Sequence, residues 1–335
     1  MGKYKSSFHE WYNRASVRAK PRRVCEGIEP GTHFFPLECA PITCHPIVRN
    51  LGPAIAEEAL AQYLFSYLRF TDGLEHEVVN QTTRRIATRA SGFDIPSEMR
   101  LDAYKIYCDE AYHSLFSADL MFQINNLTGF EYCTTGLHPA LEYFHSKVEG
   151  VELEHRAWFE LFFVIVSETL ISGTLAKIPQ SPNVLPAVRN LVADHAEDEG
   201  RHHAFFAQIC ELAWAQLPEP LRHRIGIALP EFILKFLSPD YPSIRAFLVK
   251  YLSVAQTEQV IEECYPSSSL PSAAQLAAKA TLAVLERSGI LARFDIADAF
   301  EAKGFSIRCS NLEVNCDDPN SECQLSSRRV SLVEG

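Results

Sequence analysis

The sequence has no C-x-x-C pair, which removes the main support for a zinc-ribbon or thioredoxin-like reading. It also lacks a long hydrophobic run. The longest, Leu161 to Val166, stops at Ser167 and Glu168, far short of the ~20 residues a spanning helix requires. The N-terminus carries charges but no apolar core of a secretory leader, so the expected location is cytoplasmic, with no membrane partner. Met1, Gly2 and Ser6 fit M-G-x-x-x-S, a lipidation pattern too short to assign anything alone. Basic charge is in deficit: 31 Lys and Arg against 42 Asp and Glu leave a formal net charge of -11. Nucleic-acid binding needs a concentrated basic surface, so no nucleic-acid partner is expected. Flavin and nicotinamide motifs are missing, and alternating strand patterns are scarce.

What is present is a chain of 335 residues, 47% hydrophobic and 22% charged, which suits a soluble globular protein with a large core. Of its 10 Cys, seven lie between Cys25 and Cys264 in apolar or mixed segments, where reduced, buried thiols are the common case. Cys309, Cys316 and Cys323 recur every seven residues, but Pro319 and its polar neighbours oppose a helix that would align them.

Residues 1–50 form a basic, Pro-containing lead-in whose Trp11, Tyr12, Phe34 and Phe35 suggest that it packs across the body. From Pro53 onward, apolar residues recur at three- and four-residue intervals, with breaks at Gly and Pro clusters. The pattern predicts helices over 53–90, 97–128, 150–177, 183–216, 219–237 (with Pro230 as its weak point), 241–264 and 271–288. The expected fold is all-α, a ferritin-like long-helix bundle with additional helices. It occupies residues 51–304 and precedes a disordered tail over 305–335.

Two predicted helices carry the same polar motif at mid-length: Asp109-Glu110-Ala111-Tyr112-His113 and Asp198-Glu199-Gly200-Arg201-His202. Glu at i and His at i+3 share one helix face. Two such helices facing each other offer four ligands to a dinuclear metal centre, and bundles of this kind add one Glu from each of two further helices. Glu168 is one candidate, because it interrupts a helix that is apolar nearly all round, where a lone carboxylate is costly without a cation. On the first helix Glu75 shares a face with Leu68, Val78 and Val79, whereas Glu77 neighbours Gly73, Asn80 and Gln81. Glu75 is therefore preferred.

Metal-bound His usually donates its other ring N–H to a carboxylate. Asp109 is placed to orient His202, and Asp198 to orient His113, with Arg201 pairing one of these acids. His195 lies one turn before Glu199 and two before His202, so all three share a stripe, and a third His would make one metal site richer in nitrogen.

The set Glu75, Glu110, His113, Glu168, His195, Glu199 and His202 resembles the ligand pattern of AurF-type p-aminobenzoate N-oxygenases, non-haem di-iron enzymes with a ferritin-like core. The likeness lies in the order, the H-x3-E-x2-H stripe and the gaps between ligand helices, over roughly residues 50 to 270. The extra His separates this pattern from desaturases, ribonucleotide reductase small subunits and ferritins. The resemblance implies that all seven residues bind two Fe ions (Fe2+/Fe3+), that O2 is co-substrate, and that a peroxo-diiron(III) species oxygenates a small-molecule amine. It also implies an external electron donor, such as a reductase or ferredoxin, and a homodimer. The ligand set by itself implies only O2 activation. Its rivals are another di-iron oxidation (C-hydroxylation, desaturation or oxidative cleavage), ferritin-like iron storage or ferroxidase activity, and a non-enzymatic helical protein. The last predicts a Lys or Arg beside Glu168.

Overall fold

The computed structural model describes residues 3–134, 136–175, 177–267 and 270–307. The Met1-Gly2 pattern, Cys309, Cys316, Cys323 and most of the expected tail lie outside these residues. Phe305 and Ile307, at the start of that expected tail, are buried, and Phe305 packs edge-on against Phe300. The packed body thus runs past the expected boundary at 304.

Among the described residues there is no strand; one isolated bridge joins His33 to Val184. The fold is an all-α bundle. Its first long element is α1 (Pro53–Gly73), which passes through a π-helical segment, Leu74–Val79, into α2 (Asn80–Ala87). Then come α3 (Ser97–Thr128), α4 (Pro139–Glu149), α5 (Leu153–Leu175) and α6 (Pro186–Gln216). The chain continues through α7 (Glu219–Leu237), α8 (Tyr241–Leu248), α9 (Val254–Cys264), α10 (Leu270–Ala277), α11 (Lys279–Arg287) and α12 (Phe294–Ala302). The four-element core joins α1–α2 to α3, α3 to α6, and α6 to α5.

Several boundaries differ from the periodicity reading. No helix was expected between 128 and 150, yet Pro139 opens α4 there: it occupies the first turn, where a missing N–H costs nothing, and the His138 side chain accepts from Ala140 N–H. Helix 241–264 is split, because Ser253 and Gln256 form a capping box that starts α9 anew. The stretch 271–288 divides at Ala278, and α12 was not expected. Pro230 leaves α7 continuous. The carbonyl its ring would crowd belongs to Gly226, and Gly226 is where Ile296 of α12 lies closest: a Cβ there would sit 2.2 Å from Ile296 Cδ1.

The lead-in lies across α3 and α6. Phe8, Trp11, Phe34 and Phe35 are buried in the main core, while Tyr12 is exposed. Its basic residues pair with acids of those helices: Arg14 and Lys20 with Glu197, Arg22 with Asp119, and Arg23 with Asp194. The local excess of Lys and Arg is thus spent on docking the segment to an acidic body. No helix of the described residues is long and apolar enough to cross a membrane.

Candidate metal centre

Four elements converge on one polar spot inside an otherwise apolar core. The π segment contributes Glu75, α3 contributes Glu110 and His113, α5 contributes Glu168, and α6 contributes His195, Glu199 and His202. All seven side chains have no exposure to solvent. Their ligating atoms fall into two groups, each with its atoms within 4.8 Å of one another: Glu75, His113, His195 and Glu199, and Glu110, Glu168, Glu199 and His202. Glu199 belongs to both. Its Oε1 lies 3.5 Å from His113 Nδ1, 3.3 Å from His195 Nε2 and 3.2 Å from His202 Nδ1.

Glu75 owes its position to the π segment. The wider turn adds a residue to the helix and changes which side chains face inward. Glu75 is enclosed, with Oε1 3.8 Å from His195 Nε2, whereas Glu77 is exposed and meets His145 at 3.1 Å. The adjoining Gly73 admits α4 closely, since a Cβ there would meet Leu141 Cδ1 at 2.7 Å.

The electrostatics of this cluster are unresolved by protein groups alone. Both oxygens of Glu75 and Glu168, Oε2 of Glu199 and Nε2 of His195 have no hydrogen-bond partner. Buried polar atoms are normally satisfied, and among the described residues no Lys or Arg pairs with Glu168; its ionic neighbour is His202, at 3.7 Å. Burial, and then the neighbouring carboxylates, holds the Glu75 and Glu168 carboxyls well above the usual range. Burial also opposes charge on Glu199, but His202 and His195 outweigh it and draw its carboxyl well below that range. His113 is pushed up to about 10, since burial is overcome by Glu110 and Asp198. Burial and the charge of His113 lower His195. Such a set, four carboxylates and three imidazoles facing inward, has the donor chemistry of iron or manganese sites.

The imidazoles are not held alike. His113 and His202 turn Nδ1 inward and Nε2 outward, where Asp198 lies 3.1 Å from the first and Asp109 3.2 Å from the second. Arg201 pairs with Asp198. His195 is reversed: Nε2 faces the carboxylates, and Nδ1 meets the Tyr67 hydroxyl at 3.1 Å.

Three contacts have no counterpart in the sequence reading. Trp11 Nε1–H donates to both oxygens of Asp109 at 2.8 Å, the Ser16 N–H donates to both oxygens of Asp198 at 3.2 Å, and Tyr67 supports His195. Trp11 and Ser16 come from the lead-in, and no periodicity marks them. Tyr67 was findable in principle, since it stands two turns before Glu75 on the same helix.

Beside the centre lies a cavity of about 700 Å3, with walls mostly apolar and aromatic. Tyr67, Thr71 and Leu170 form its end nearest the cluster: Tyr67 touches His195, Thr71 precedes Glu75 by one turn, and Leu170 follows Glu168 by two residues. Comparison with curated proteins finds no match to the chain. The family model for P-aminobenzoate N-oxygenase AurF matches residues 26–289, a span that includes all seven inward-facing residues and most of the helical body, and the chain belongs to that family of N-oxygenases.

Proposed function

We propose that Glu75, Glu110, His113, Glu168, His195, Glu199 and His202 hold two iron ions, and that the protein uses them to N-oxygenate an arylamine bound in the adjoining cavity. The observation that carries this reading is the buried cluster in which two groups of possible ligands share Glu199 and, among the described residues, no Lys or Arg pairs with the four carboxylates, whose ionic neighbours are the three imidazoles. Burying four carboxylates against three imidazoles, with both oxygens of Glu75 and Glu168 lacking a hydrogen-bond partner, costs several kcal/mol per unpaired ion, and metal cations would offset that cost. Glu75, His113 and His195 would hold one ion and Glu168 and His202 the other. Between them stand Glu199, common to both groups, and Glu110, whose Oε2 lies 2.8 Å from His113 Nδ1 and whose Oε1 lies 2.8 Å from His202 Nδ1.

Bound iron supplies the activation of O2. The remaining work falls to the chain. Asp109 and Asp198 accept the Nε2–H of His202 and His113, which fixes the tautomer that leaves Nδ1 free for a cation. Tyr67 accepts the Nδ1–H of His195 for the same purpose. An arylamine is a weak base, and the apolar, aromatic walls of the cavity nearest the centre further disfavour its protonation, so the reacting nitrogen keeps its lone pair available. At the first stage, an amine R-NH2, O2, two electrons and two protons give R-NHOH and water. The electrons come from an external donor, and repetition leads to nitroso and nitro products.

The test is anaerobic reconstitution with ferrous iron, followed by O2, a reductant and a panel of amines. Two irons per chain and an N-oxygenated product carrying label from 18O2 are expected. Less than one metal per chain, or oxidation at carbon alone, overturns the reading.

A further inference from the structure

The cavity follows one stripe of α1. Ala59, Tyr63, Ser66, Tyr67, Phe70 and Thr71 line it at intervals of three and four residues, one helix face. At 1.5 Å per residue, the twelve steps from Ala59 to Thr71 span about 18 Å. A single ring with a small para substituent covers less than half of that length. Cavities of several hundred Å3 suit drug-sized ligands, so the space is larger than an aminobenzoate requires.

Its charge is also wrong for a carboxylate. Asp240 lies in the wall, and only 8% of the residue is exposed. It accepts hydrogen bonds from Ser66 Oγ at 2.9 Å, Tyr132 OH at 2.9 Å, Ser243 Oγ at 2.5 Å and the Ser243 N–H at 3.1 Å. Among the described residues no Lys or Arg pairs with it. His138 in the same wall gives no balancing charge: its Nδ1 accepts from Ala140 N–H, and burial pulls it down to about 4. The lining cation, Lys177, is exposed and belongs to the wall that includes Cys39 of the lead-in. Asp240 is thus a buried acid in the wall of a mostly apolar space, with three donors on Oδ2 and a single one on Oδ1.

Resting on the N-oxygenation reading above, we propose that the substrate is an elongated, largely apolar arylamine bearing an ammonium group, and that Asp240 receives that group. Ser66, which holds Asp240, stands five residues before Thr71, or about 7.5 Å along the helix. The ammonium therefore lies beyond the aromatic ring from the reacting nitrogen, and the rest of the molecule extends toward Ala59. A substrate carboxylate in that position would meet a like charge.

The probes are procainamide, an arylamine with a distal ammonium, p-aminobenzoate, and the procainamide analogue without its ring amine. Each is titrated calorimetrically into the iron-loaded full chain without O2, and then assayed for turnover with O2 and reductant. Procainamide and its amine-free analogue are expected to bind at least roughly tenfold more tightly than p-aminobenzoate, and Asp240→Asn to erase that preference. Asn keeps the helix-capping role. A second variant, Ala59→Phe, shortens the far end and is expected to weaken procainamide several-fold relative to 4-methylaniline. Equal or tighter binding of p-aminobenzoate, or a preference unmoved by Asp240→Asn, overturns the Asp240 assignment even if p-aminobenzoate is oxidised, and procainamide binding unmoved by Ala59→Phe overturns the elongated shape. Selective, Asp240-dependent binding with no N-oxygenated product from any arylamine instead overturns the functional reading on which the word substrate rests.

Discussion

Replacing Trp11 with Phe tests whether the lead-in belongs to the centre. The indole Nε1–H, shared between both oxygens of Asp109 at 2.8 Å, is the polar contact that Phe cannot supply. Ring burial is largely kept. A hydrogen bond to a charged group contributes about 1.5–3 kcal/mol, and its loss leaves a buried acceptor short of a donor. For a helical body of this size that corresponds to a fall in Tm of roughly 2–5 °C. Burial already raises the Asp109 carboxyl, and loss of the indole raises it further. Asp109 then holds His202 less firmly, and losing an outer partner of a metal-bound His typically costs about 10–100-fold in metal affinity. The assay pairs thermal unfolding of metal-free and iron-loaded protein with an iron competition titration. If the variant melts with the wild type and binds iron as tightly, Trp11 is packing only and the reasoning fails.

Further expectations follow from the same geometry. Because Glu199 belongs to both groups of ligating atoms, Glu199→Ala is expected to lose both irons, whereas His195→Ala retains iron but changes the rate of reaction with O2; elemental analysis and stopped-flow absorbance separate the two. In the metal-free protein, the raised Glu75 and Glu168 carboxyls stabilise the fold fully below the unfolded carboxylate pKa of about 4.3, and that contribution is lost as pH rises through their folded values. Iron loading must displace those protons, so a pH-stat titration is expected to register proton release, and apparent affinity to tighten with rising pH; loading without release contradicts the assignment. Gly226→Ala sets a Cβ 2.2 Å from Ile296 Cδ1 and 2.6 Å from Cγ1, and such overpacking is expected to cost about 1–3 kcal/mol, measured by urea denaturation.

How much of this was legible in the sequence divides along physical lines. The long helices were, because burial against a common core imposes a 3.6-residue period that survives in every turn. Glu168 stood out for a related reason: a carboxylate in an apolar helix demands an explanation whatever surrounds it. Punctuation was less secure. A proline can lie in a break or open a helix, and no helix was read between 128 and 150 although Pro139 starts α4 there. The π segment at Leu74–Val79 leaves no mark in composition, yet it helps set Glu75 inward and Glu77 outward.

The way the imidazoles are held lay furthest from the sequence. That each metal-facing His would need an outer acceptor follows from chemistry, and the two Asp beside the motif Glu residues were available for the purpose. What completes them is different in kind. Trp11 reaches Asp109 across 98 residues, and Ser16 reaches Asp198 across 182, from a segment with no period and no motif. Both lie before residue 26, where the family match begins. The ligands themselves can recur at fixed helical spacing because helices present them. A donor to the second carboxylate needs only to arrive from somewhere, and any chain segment that covers the bundle can provide it. The inner residues of such a centre are therefore readable from pattern, while the groups that fix their tautomers depend on how this particular lead-in crosses α3 and α6.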